Sequence, residues 1–319
     1  MTPRIEELPH DIVAIDTMTA GMASVTAGYL VRAPRPALVE CGPALSIDHV
    51  VDSLHELGME PADLAYLVVS HVHLDHAGGA GEVAAAFPTA TVVVSEVGAR
   101  HLVDPERLNA SSRRVYGELM ESVYGPCTPV AGDRVRGVAD GDVLDLGGGR
   151  SLTLLYTPGH ARHHIAALDQ DTGVLFVGDS VGVKLPGMRT IRPAMPPPDF
   201  DLALTRRTLS RYRSIAPQTV YLSHYGAVEP PLDALREASE QVEAWTRAAE
   251  SAYVRARASG HDELEHVAET LARRFADQVT PPDDDPRAAE RLELLNGFRA
   301  NAMGLVRWLR TREAEAPRA

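Results

Sequence analysis

Along the first two-thirds of the chain, apolar residues come in short runs rich in Val, Ile and Leu, bounded by Gly, Pro and polar residues. Such runs predict strands at 11–16, 26–32, 36–40, 65–70, 90–95, 134–139, 142–146, 151–156, 164–169, 173–177 and 219–223. Gln170-Asp171-Thr172-Gly173 offers a glycine-ended hairpin turn between two of them. Helical spacing fits 46–58, closed by Gly58, and then 78–86, 98–103, 111–124 and 201–214. An α/β domain is therefore expected over 1–229.

Beyond Pro230-Pro231 the pattern changes to Ala, Glu and Arg with helical spacing. Leu264, Val267, Leu271 and Phe275 mark one helix face. The breaker Pro281-Pro282-Asp283-Asp284-Asp285-Pro286 precedes a final helix expected at about 287–312. Residues 230–319 thus read as a helical C-terminal extension serving as a lid, a brace or a dimer surface, so a homodimer is an open expectation.

Composition narrows the function. Of 319 residues, 45% are apolar and 24% charged, which excludes a mainly disordered chain. Acidic residues outnumber basic ones 44 to 31, and a net charge of −13 argues against a nucleic-acid partner. No stretch is long and apolar enough for a membrane span. The start lacks the basic-then-apolar pattern of a secretory signal. Cys41 and Cys127 are too few for a disulfide framework, so a cytoplasmic location is the expectation. All basic residues but Lys184 are arginines.

The chemistry concentrates in the histidines. Seven of the 13 fall in short clusters. Ser70-His71-Val72-His73-Leu74-Asp75-His76 follows directly on a strand and runs into a helix. In an extended segment His71 and His73 project to the same side and can share one ion. Asp75 and His76 lie where the chain turns, displaced towards a second ion. Thr157-Pro158-Gly159-His160, Val177-Gly178-Asp179-Ser180 and Leu222-Ser223-His224-Tyr225 each set a further ligand at a strand end, where α/β proteins place their sites.

This ordered set, His-x-His-x-Asp-His at 71–76, Pro-Gly-His at 158–160, Gly-Asp at 178–179 and Ser-His at 223–224, resembles the metallo-β-lactamase superfamily over about residues 10–226. The resemblance implies a four-layer αββα sandwich with a dinuclear site. His71, His73 and His160 then look like ligands of a first metal. Asp75, His76 and His224 look like ligands of a second, with Asp179 bridging. A nitrogen- and carboxylate-rich set suits Zn²⁺, with Fe or Mn as other choices. Glu40 stands where many members carry an aspartate that supports the metal-binding loop, and His164 fits a supporting position four residues after His160. His163 has no assigned role, and Cys41 reads as a small buried residue.

The resemblance further implies a hydrolase of the glyoxalase II-like and lactonase-like branch, attacking a small ester, thioester or lactone, with Asp75 both ligand and orienter of the attacking water. The other branch in view is a persulfide dioxygenase with a single iron; the complete ligand set favours two metals. Substrate contacts are sought in two segments. Met18 and Met22 in the first hairpin loop are either pocket or core residues. Lys184, Arg189 and Arg192 in 181–199 are either anion-gripping or ordinary surface charges. Tyr225 either donates a hydrogen bond to substrate or packs.

Overall fold

The computed structural model describes residues 5–278 and 287–315; the 281–286 breaker lies outside them. The described residues form two compact units, each assembled from separate chain segments. One takes the residues up to Tyr156 with His163–Gly178 and Pro217–Val228; the other takes Thr157–Arg162, Asp179–Ala216 and the residues from Glu229 onward.

The first unit holds both sheets. β1 (Ile5–Leu8), β2 (Ile12–Asp16), β3 (Ala27–Val31), β4 (Ala37–Val39), β5 (Tyr66–Val68), β6 (Thr91–Ser95) and β7 (Val135–Val138) pair in sequence order. The pairs from β1 to β4 are antiparallel, and those from β4 to β7 are parallel. The parallel crossovers carry α1 (Ile47–Glu56), α2 (Leu74–Ala77), α3 (Ala80–Ala86), α4 (Glu96–Val103) and α5 (Glu106–Tyr116). The second sheet runs from β8 (Val143–Gly147) through β9 (Arg150–Tyr156), β10 (Ile165–Asp169), β11 (Val174–Phe176) and β12 (Thr219–Leu222) to β13 (Gly226–Val228). Only the β11–β12 pair in it is parallel.

Alternate residues of the first sheet, among them Ile12, Tyr29, Val31, Val39, Val68 and Val93, share a core with Leu144, Leu152, Leu154, Ile165, Phe176 and Tyr221 of the second. The intervening Val13, Ile15, Leu30, Leu38, Leu67, Val92 and Val94 are at most 1% exposed as well. On that side α1, α3 and α4 pack on β2, β6 and β7. Burial of both faces is why these strands read as unbroken apolar runs. Each such side chain contributes about 1.5–3 kcal/mol.

The second unit contains α6 (Leu202–Ile215), α7 (Pro231–Ser259), α8 (Glu263–Phe275), α9 (Ala288–Asn296) and α10 (Phe298–Glu315). Pro231 opens α7, where its missing N–H costs nothing, and Gly260 closes it at φ 72°. Asp262 caps α8 by accepting the Glu265 N–H at 2.9 Å. The core gathers Trp245, Phe275, Val267, Leu271, Leu305 and Trp308. Trp245 stacks on Phe275 and Phe298 at ring distances of 4.8 and 5.5 Å.

The α/β class with a helical C-terminal extension is therefore as expected, and all eleven predicted strands are present. β1 and β13 are additions: one carries two glutamates, the other is three residues long, and neither has a run to recognise. Two helices differ from expectation. The segment predicted at 111–124 starts at Glu106 and stops at Gly117, which takes φ 56°. The helix predicted at 287–312 is broken at Gly297, whose extended backbone (ψ 155°) separates α9 from α10.

Candidate metal centre

Because β4 and β5 are parallel, their carboxyl ends emerge at one edge. The second sheet is stitched to that edge. The Ala27 N–H donates to the Ser223 carbonyl at 2.8 Å, the Tyr29 hydroxyl to the Leu222 carbonyl at 2.6 Å, and the Ile165 N–H to the Ser70 carbonyl at 2.8 Å. Glu40 after β4, residues 70–76 after β5 and His224 after β12 therefore gather together.

Three of these side chains converge on one point. His224 Nε2 lies 3.1 Å from His76 Nε2, and Asp75 Oδ2 lies 3.4 Å from the first and 3.7 Å from the second. The opposite ring nitrogen fixes the His224 tautomer. His224 Nδ1 donates to the Val25 carbonyl at 2.8 Å, and that oxygen can only accept. His76 Nδ1 faces Glu40 Oε1 at 3.3 Å. The His224 Nε2 lone pair then points at the meeting point, beside His76 Nε2 and the Asp75 carboxylate. A point equidistant from the three atoms lies about 2.0 Å from each, the bond length of Zn²⁺ to nitrogen and oxygen. The donor set therefore fits a divalent ion.

Glu40 is 1% exposed and holds this edge together. Besides His76, its carboxylate accepts from the Ser70 N–H at 3.3 Å and the Ser223 hydroxyl at 3.1 Å. His71 Nε2 and His73 Nδ1 approach to 2.9 Å, and the His71 ring centre lies 4.1 Å from that of His76. His164 stacks under His71 at 5.1 Å. His163, unassigned from sequence, receives the Val72 N–H on Nδ1 at 3.3 Å, and its carbonyl accepts from the Ser95 hydroxyl. Gly178 has φ 52°, and a Cβ there would sit 2.6 Å from both His164 Nε2 and Ser70 Oγ. Only glycine fits.

In the second unit, His160 Nδ1 donates to the Ala194 carbonyl at 3.0 Å, which leaves Nε2 facing Asp179 Oδ2 at 3.5 Å. Gly159 has φ 145°, and a Cβ there would lie 2.7 Å from the Thr205 backbone. The Pro-Gly-His turn is thus seated directly on the first turn of α6. The orienting carbonyls of Val25 and Ala194 escaped sequence reading, since a backbone oxygen leaves no residue-type signal.

Residues expected to touch substrate have mixed surroundings. Met18 is half-buried and in a left-handed conformation (φ 53°), while Met22 is buried. Asp16 fixes their loop by accepting the Met18 and Ser24 N–H groups at 2.9 and 2.7 Å. The Tyr225 hydroxyl donates to the same carboxylate at 3.2 Å. Burial, and then the Asp16 charge, push the Tyr225 pKa up, so it stays a neutral donor to that loop. Lys184 is half-buried and Arg189 exposed. Arg192 is 1% exposed, with its guanidinium over Phe298 at 4.3 Å, so it is part of the helical core rather than a surface charge. Burial, and next Glu40, raise the Cys41 pKa well above normal and keep its thiol neutral.

Comparison with known proteins agrees with this architecture. The chain is 34% identical over 172 residues to the metallo-beta-lactamase fold-containing protein ST1585 of Sulfurisphaera tokodaii, covering 53% of this chain and 63% of that protein. Its crystal structure superposes with a TM-score of 0.70 at 24% identity, over 93% of this chain and 99% of the other. The N-acyl homoserine lactonase AttM of Rhizobium radiobacter is 33% identical over 127 residues, 40% of this chain and 44% of its own. A hydroxyacylglutathione hydrolase of Synechococcus sp. is 28% identical over 153 residues, 48% of each chain. The matches thus span between 44% and 63% of these relatives' own lengths. The model of the metallo-beta-lactamase superfamily matches residues 23–224, most of the chain, and the protein belongs to that superfamily.

Proposed function

We propose that the protein is a metal-dependent hydrolase that opens a small ester, thioester or lactone with two divalent ions, most readily Zn²⁺. In this reading His71, His73 and His160 hold one ion, Asp75, His76 and His224 hold the other, and Asp179 bridges them. The convergence of Asp75, His76 and His224, with the His224 imidazole proton donated away from the meeting point, carries the reading. Two relatives bear the names N-acyl homoserine lactonase and hydroxyacylglutathione hydrolase, which supports a small acyl substrate of this class.

When bound, such ions lower the pKa of a shared water and polarise a carbonyl oxygen. The chain's residues supply the rest. His76 and His224 are fully buried and serve only to hold and orient. The Asp75 side chain retains 12% of its exposure, so it is the member of the trio that can meet water, direct it, and hold a proton on Oδ1 or Oδ2. Glu40 lies against the His76 ring, with its carboxylate 3.3 Å from Nδ1. Glu40→Gln keeps the shape but replaces the carboxylate, and metal affinity is expected to fall about 10- to 100-fold in a titration followed by calorimetry. Affinity equal to wild type would remove that role.

The direct test is elemental analysis of protein purified without added metal, followed by a panel of lactones, thioesters and esters. About two zinc-like ions per chain and chelator-sensitive hydrolysis are expected. One iron per chain with oxygen uptake and no hydrolysis would overturn the proposal in favour of the dioxygenase branch.

A further inference from the structure

Two asparagines of the C-terminal helices are buried and face a loop rather than solvent. Asn301 on α10 is 2% exposed, and Asn296 at the end of α9 is 5% exposed. Asn301 Oδ1 accepts the Met195 N–H at 2.7 Å, and Asn296 Nδ2 donates to the Pro193 carbonyl at 3.1 Å. Asn301 Nδ2 also donates to Asn296 Oδ1, which ties the two amides together. One turn beyond Asn301, a Cβ at Gly304 would collide with the Met195 carbonyl, so glycine lets the α10 backbone lie directly against this loop. Between the two anchored residues stands Ala194, whose carbonyl takes the His160 Nδ1 proton at 3.0 Å.

Burying a primary amide is costly unless its hydrogen bonds are met. Helix packing alone is served as well by leucine. Here the two amides grip the loop backbone on either side of the Ala194 carbonyl that takes the His160 Nδ1 proton. We infer that Asn301 and Asn296 are positioning residues. They hold Pro193–Met195 so that Ala194 keeps the His160 proton on Nδ1 and makes Nε2 the lone-pair nitrogen, the one able to ligate. The helical extension thereby becomes part of the site's construction. The inference rests on the reading of His160 as a metal ligand.

The test begins with metal-free protein, where long-range ¹H–¹⁵N spectra distinguish the two imidazole tautomers. His160 is expected as the Nδ1–H form in wild type and as a mixture in Asn301→Ala, with the His76 and His224 signals unmoved. Zn²⁺ bound through His160 is expected to weaken about 10- to 100-fold. Asn296→Ala cuts the Pro193 anchor, carries the same expectation, and serves if Asn301→Ala does not fold. Val306→Ala, a truncation elsewhere on α10, should lower Tm without moving the His160 signal. An unchanged His160 spectrum in both asparagine variants, or an equal change in Val306→Ala, would overturn the inference. Full metal content in His160→Ala would instead overturn the ligand assignment, which the tautomer measurement does not depend on.

Discussion

Asp75→Ala is expected to lower kcat/KM on any hydrolysed substrate by about 10³-fold or more, roughly 4 kcal/mol of transition-state stabilisation. Three features make this the largest single effect. Asp75 is one of the three donors whose mutual distances fit one ion, and the only carboxylate among them. Its removal leaves two imidazole nitrogens 3.1 Å apart with no anion to balance a cation. It is also the only partly accessible member, so the loss falls on the group that meets water. Stability should move little, because the side chain fills no core position. His76→Ala is a poorer probe. That ring is fully buried and faces Glu40, so its removal opens a cavity and leaves a buried carboxylate with fewer partners. Metal content and initial rates on the same Asp75→Ala preparation check the prediction. Turnover within tenfold of wild type would take Asp75 out of the chemistry.

The sequence revealed those parts of the fold and site that residue type encodes. Strands buried on both faces leave apolar runs, and histidines grouped at strand ends leave a pattern that core packing does not generate. Glu40 could be picked out only through the resemblance, because it stands where many members carry a supporting aspartate. Its three contacts with His76, Ser70 and Ser223 lie up to 183 residues apart in the chain and needed coordinates. Backbone groups were invisible: Val25 and Ala194 orient His224 and His160 through carbonyls that any residue possesses. Arg192 looked like one loop charge among three, and only the fold places it over an aromatic ring. The break at Gly297 was likewise hidden, since one glycine in a helical pattern costs about 1 kcal/mol and is often tolerated.

Adding Zn²⁺ to metal-free protein should raise its thermal midpoint by an amount that His224→Ala reduces sharply. The physical origin is the gathering of three donors by the fold. His76 Nε2, His224 Nε2 and Asp75 Oδ2 lie within 3.7 Å of one another, and both rings are fully buried. A cation at the common point binds the folded chain far better than the unfolded one, in which the three side chains are apart. With free metal at 1,000 times its Kd the stabilisation is about 4 kcal/mol. For a domain of this size that corresponds to a rise on the order of 8 °C. In His224→Ala the set drops from three donors to two. The metal-free variant loses the stability of a buried ring, and its response to zinc is mostly lost. Scanning calorimetry of both proteins, with chelator and with zinc, reads the two effects separately. A wild-type midpoint that zinc leaves in place would mean that the three side chains meet for a reason other than metal.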